Sequence, residues 1–210
     1  KKILPKNTIK IHRKLHGYYA MNIQPFMNLI QPDRKNEVID DAFAKSSDKN
    51  AEVLSRELIH EDPSLFGLKP FEVIFDLRSE YFVEKAGTKF LFKIGALIGP
   101  QMEMYQEKKR ILPLEAEFNR SYFRTLKITI PEGYKVSNLD DITIKNSYTK
   151  EGKELFIFDS YYSLEGNVLT VTADEHYRET LVAPELYEAY RTVINSAADF
   201  NKVTLVLEPK

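Results

Sequence analysis

The chain has 210 residues, room for one generous domain or two small ones, and folding at this size buries about 70% of the surface an extended chain exposes. Hydrophobic residues make up 43% and charged residues 29%, a globular composition; 30 Lys and Arg against 31 Asp and Glu leave a net charge of -1, which offers no electrostatic footprint for nucleic acid or an anionic membrane. With no cysteine, the chain has no disulfide, thiolate metal site or thiol nucleophile of its own, although this does not fix the compartment.

The start, Lys1-Lys2-Ile3-Leu4-Pro5, lacks an initiator Met and the apolar stretch of a signal peptide, which suggests a mature or trimmed chain cut from a longer protein. Residues 8–30 read as extended, with Ile9 and Ile11 alternating with lysines and Gly17 marking a bulge or a close backbone contact. After Pro32, Asp33 suits a cap, and Val38, Ile39, Ala42 and Phe43 recur at helical spacing. Ala51, Leu54 and Leu58 make a second apolar stripe before Pro63, so a helical insertion is expected over about 33–60. His60 would close it, favourably placed at a helix C-terminus.

Residues 71–83 and 89–98 form two β-rich runs around a Gly-containing loop, the pattern of a hairpin. The apolar window 90–100 is broken by Lys93 and is shorter than the roughly 20 residues a bilayer requires, so no transmembrane segment is expected. The charged connector Gln106-Glu107-Lys108-Lys109-Arg110 is the expected boundary, giving units 1–110 and 111–210.

Beyond it, Tyr122, Leu126, Ile128 and Ile130 share a phase, followed by the turn Pro131-Glu132-Gly133 and a run at 134–136. Strands are further expected at 142–144, 154–160 and 168–173, the last after a Glu165-Gly166-Asn167 turn. Pro184 fits a first helical turn, and Leu186, Tyr187, Tyr190, Val193, Ile194 and Ala197 recur at 3.6-residue spacing, predicting a helix over about 184–199 and then a last strand at 203–207. The expected fold is α+β and mainly β: antiparallel sheets, sandwich-like, covered by a few helices including this C-terminal one.

No catalytic constellation is legible. His12 and His16 are four apart, a chelating spacing on a helix, but on a strand four residues span about 13 Å. Ser160 or Ser163 near His176 is adjacency without an oxyanion element, and no Gly-rich phosphate loop occurs. The run Asp174-Glu175-His176-Tyr177-Arg178-Glu179 could in principle place two carboxylates across a cleft for hydrolysis, but neighbours on a strand face opposite ways, and the simpler reading is a solvated loop. Catalytic, cofactor and metal residues are therefore expected to be none. The 12% of aromatic residues allow a binding surface instead, with Tyr18, Tyr19, Tyr161 and Tyr162 as candidates to stack on sugars or anchor a protein partner; one Tyr of each pair would face inward and one outward.

Several features in order carry a resemblance: Gly17-Tyr18-Tyr19-Ala20 before a helix, the step Arg110-Ile111-Leu112-Pro113, the run Ile128-Thr129-Ile130-Pro131-Glu132-Gly133-Tyr134-Lys135-Val136, the helix at 184–201, and the closing Lys202-Val203-Thr204-Leu205-Val206-Leu207. Together they resemble the C-terminal region of transglutaminase-like envelope proteins of Bacteroidetes, in which a catalytic core precedes a domain of unknown function. The resemblance implies an upstream transglutaminase-like domain with a Cys-His-Asp core in the same polypeptide, none of which lies in this chain. It also implies a periplasmic or envelope setting and a non-catalytic accessory role as scaffold or in positioning substrate. The alternative is a stand-alone carbohydrate- or protein-binding module.

Overall fold

The computed structural model describes residues 7–210, so the expectation about residues 1–5 lies outside the described residues. Strands dominate, every sheet is antiparallel, and the C-terminal helix is followed by a last strand. The chain divides into two compact units between Phe82 and Val83.

The first unit contains β1 (Asn7–Leu15), the short helices α1 (Tyr18–Met21) and α2 (Lys35–Ile39), β2 (Glu52–Ile59) and β3 (Phe71–Ser79), with sheet order β1-β3-β2. As the central strand, β3 carries the alternation of a strand with one face in the core: Phe71, Val73, Phe75 and Leu77 are buried against Ile39, Phe43, Met27 and Ala20. The extended reading of residues 8–30 holds only to Leu15. Gly17, at φ 52, turns the chain into α1 rather than forming a bulge, and Gln24–Leu29 is a 3₁₀ turn.

The first half of the expected helical insertion is present, as α2 running into a π-turn at Asp40–Ala44. The second half is instead strand β2. Val53 pairs with Leu77 and Ser55 with Asp76, so Leu54 is the extra residue of a bulge and is 43% exposed. That insertion breaks the two-residue period and makes Ala51, Leu54 and Leu58 mimic a helical stripe. His60 therefore follows a strand, at φ 57, with Nδ1 3.0 Å from the Pro70 carbonyl oxygen.

In the second unit, β4 (Val83–Ala86) and β5 (Lys89–Phe92) form a hairpin shorter than expected. The segment Phe71–Ser79 belongs to the other sheet, and Ile94–Ile98 is a 3₁₀ turn. Then come β6 (Leu114–Glu115), β7 (Arg120–Thr129), β8 (Tyr134–Val136), β9 (Ile144–Lys150), β10 (Lys153–Glu165), β11 (Val168–Tyr177), β12 (Leu181–Val182), α3 (Tyr187–Asn201) and β13 (Leu205–Pro209). They form sheets of order β7-β11-β10-β9, β4-β5-β13-β8 and β12-β6. The boundary lies earlier than Arg110 because β13 pairs with β5, and the Gly95 amide donates to the Val203 carbonyl. Such long-range bonds tie residues 90–95 to the C-terminal strand and the turn before it, and leave no local trace in the sequence.

Helix α3 presents Tyr190, Val193, Ile194, Ala197 and Phe200 to the sheet, against Phe156, Phe158, Val171 and Leu205. Phe158 and Phe200 meet at 5.8 Å between centroids. Gly95 sits where Asn201 Nδ2 donates to its carbonyl oxygen, and a Cβ at this position would lie 2.5 Å from the Asn201 carbonyl oxygen and closer still to that of Phe200. Among the described residues, no helix is long and apolar enough to cross a membrane.

Candidate functional site

The sheet β7-β11-β10-β9 has two unlike faces. On the helix-covered face, even positions of β7 meet odd positions of β11 and even positions of β10, so Tyr122, Glu175 and Phe158 share one row and Arg120, Tyr177 and Phe156 the next. The expected solvated loop at 174–179 is therefore corrected: Asp174 to Tyr177 end a long strand, and Glu175 is 3% and Tyr177 1% exposed. Charged residues survive there because they are paired. Arg124 Nη1 donates to Glu175 Oε2 at 2.8 Å and lies 4.5 Å above the Tyr122 ring.

Arg120 lies 4.5 Å above the Tyr177 ring and donates to the Tyr190 hydroxyl at 2.8 Å, clamping the first turns of α3 to the sheet. Burial opposes the Arg120 charge, but the oxygens of Tyr190, Tyr122 and Tyr177 outweigh it and raise its pKa. The enclosed Tyr177 hydroxyl has no aligned hydrogen-bond partner among the described residues. Burial first, and then the nearby Glu175 carboxylate, raise its pKa far above the ordinary phenol value, so it stays protonated.

On the opposite face, open to solvent, one row runs Phe123, Asp174, Asp159, Lys145 across the four strands, and the neighbouring row holds Thr125, Thr172 and Tyr161. Phe123 is 76% and Tyr161 52% exposed. Two strands and two residues apart, they stand about 12 Å from each other with the carboxylates beside them. Lys145 Nζ donates to Asp159 Oδ2 at 3.0 Å, and Asp159 in return raises the lysine pKa. Partial burial raises the Asp174 pKa and the Asp159 charge adds to the rise, against a lowering hydrogen bond from the Arg124 amide. His176, 8% exposed, ends the face. Burial and then Arg178 lower its pKa, although its Nε2 is 3.1 Å from Glu154 Oε1, without hydrogen-bond alignment.

This open face lies within residues 95–207, which match the family described as "Domain of Unknown Function with solved-structure structure (DUF3858)". The chain belongs to the DUF3858 family. No curated protein and no solved structure matches it. The match covers every strand of the two-faced sheet and α3, and begins within the 3₁₀ turn that follows β5.

Within the DUF3858 region, Tyr161 points to the open face while Tyr162 packs against the core, the split expected of adjacent strand residues. Tyr18 and Tyr19, in the first unit, sit on a helical turn rather than a strand; Tyr18 is 54% exposed and Tyr19 half-buried. Phe123 is the residue that sequence reasoning missed. The inward phase of Tyr122, Leu126 and Ile128 was the available signal, because it puts a large apolar side chain on the outward phase.

Ser160 is fully buried on the helix side, its Oγ donating to the Ile142 carbonyl at 2.6 Å, and so faces away from His176. Ser163 shares the face of His176 but lies six residues along, about 20 Å away. His12 Nε2 lies 2.6 Å from Glu72 on the neighbouring strand. Among the described residues, no three His, Asp or Glu side chains form a group that could hold a metal. An open cleft of about 350 Å³ in the first unit satisfies its own polar groups, with Ser79 Oγ donating to Asp48 at 2.6 Å and Arg78 to Glu52 at 3.0 Å.

Proposed function

We propose that this chain is a non-catalytic accessory module of a transglutaminase-like envelope protein and positions substrate for an upstream Cys-His-Asp core through the open face of its β7-β11-β10-β9 sheet. The two-faced sheet is the observation that carries the reading. Helix α3 covers one face, while the other presents Phe123, Tyr161, Asp159, Asp174 and Lys145 to solvent. Exposed aromatic rings flanking carboxylates suit a saccharide, whose C–H faces stack on rings and whose hydroxyls donate to carboxylates. The parent protein and its envelope setting are supported by the ordered sequence resemblance.

Reading the gene upstream of Lys1 tests the accessory role. A Cys-His-Asp domain in the same frame is expected, and an independent start with no such domain would overturn it. The exposed rings also favour a second reading, a stand-alone saccharide- or protein-binding module using the same face. That reading predicts retained binding by the isolated chain and no upstream core.

A further inference from the structure

The outer edge of β7 carries a second surface, along the margin of the open face. Strand β7 ends its sheet, and all ten of its pairs with β11 run without a register shift. By contrast, β9, at the other end of the sheet, and β2, in the first unit, are both paired across irregularities. The Ile130 amide donates to the Asn167 carbonyl in the same register, which makes the even positions of β7 the residues bonded to β11. The odd positions, Ser121, Phe123, Thr125, Lys127 and Thr129, thus direct five N–H and five C=O groups outward. No other strand pairs with that edge among the described residues.

An unbulged edge of this length is a template for strand addition. Its charge selects the partner. The strand Arg-Ser-Tyr-Phe-Arg-Thr-Leu-Lys-Ile-Thr has three cations and no carboxylate. Arg124 is neutralised by Glu175, while Arg120 and Lys127 make no ion pair with any carboxylate among the described residues. Half-buried Arg120 spends one donor on Tyr190 and keeps others for a carboxylate. A second copy of β7 would bring cations against cations. We infer that the open edge of β7 takes up an extended, acidic peptide segment as a fifth strand, with carboxylates beside Arg120 and Lys127 at its two ends and apolar residues beside Phe123 between them.

Fluorescence anisotropy of a labelled synthetic peptide with Glu at both ends of a Val/Thr centre, titrated with the whole chain, tests this against the Lys-for-Glu peptide. Thr125→Pro removes one outward N–H without touching a bond to β11, a substitution that edge strands tolerate. Lys127→Glu reverses an exposed charge. The Glu peptide should bind, more weakly in high salt, with about tenfold or greater loss in each variant, and the Lys peptide should not. Undiminished binding by Thr125→Pro, equal binding of both peptides, or no binding of either would overturn the inference; in the last case the cations only guard the edge against aggregation. A concentration-dependent dimer in sedimentation that Thr125→Pro dissolves would also overturn it, in favour of a second copy. Tyr161→Ala, on β10 and separated from the β7 edge by β11, acts on the open face alone, so loss of saccharide binding there leaves this result separately readable.

Discussion

Replacing Arg124 by Ala leaves the Glu175 carboxylate, whose side chain is 4% exposed, without the guanidinium that neutralises it at 2.8 Å. Arg124 is itself 14% exposed, so water reaches neither partner well enough to screen the pair. Removing one member of such a buried pair costs about 3–5 kcal/mol, most of it the desolvation of the orphaned charge. The lost contact with the Tyr122 ring, 4.5 Å away, adds about 1 kcal/mol at most. With a urea slope of about 2 kcal/mol/M, the unfolding midpoint of Arg124→Ala should fall by roughly 1.5–2.5 M. The double variant Arg124→Met/Glu175→Leu, which removes both charges and keeps the volume apolar, should recover most of that loss. Urea unfolding followed by circular dichroism, run as a double-mutant cycle, reads all three variants. A loss below about 1 kcal/mol for Arg124→Ala, or a double variant no more stable than the single, would refute the reasoning.

Gly95→Ala should cost about 3 kcal/mol, because the added Cβ meets the backbone carbonyls of Phe200 and Asn201, which cannot move without breaking the end of α3; thermal melting checks it. Since burial, followed by Arg178, holds the His176 pKa below that of the unfolded chain, the unfolded state binds the extra proton first. Stability should therefore fall as pH drops below about 6.5, and His176→Gln should flatten that slope in urea titrations. Glu72 is held below the usual carboxylate range by His12 first and then Lys14, so its contribution is present above that range and lost as pH falls through the lowered value. Glu72→Gln should remove this acid-side dependence from the unfolding of the first unit.

Where one sheet face is buried, the fold is written in alternation. The inward phases of β7, β10 and β11 and the 3.6-residue stripe of α3 read directly, because over the stretches that meet the core each keeps an unbroken period. Strand β2 was hidden by a single bulged residue, Leu54, since one insertion shifts every later side chain and the remaining apolar positions fall at helical spacing. The unit boundary was hidden because β5 is bound by β13, more than a hundred residues later. The candidate site was half legible. Adjacent tyrosines predict that one points outward, and Tyr161 does. The burial of Glu175 was not legible, because its partner Arg124 is 51 residues away and nothing local distinguishes a neutralised carboxylate from a solvated one.

The most direct test of the central claim, that the open sheet face is a recognition surface, is a glycan array probed with the whole chain and with Phe123→Ala/Tyr161→Ala. The exposed rings contribute little to the core, so the double variant should melt within a few degrees of the parent chain. Its glycan signals should fall to background while the parent retains a defined set. Signals undiminished in the variant, or none from the parent chain, would contradict the claim.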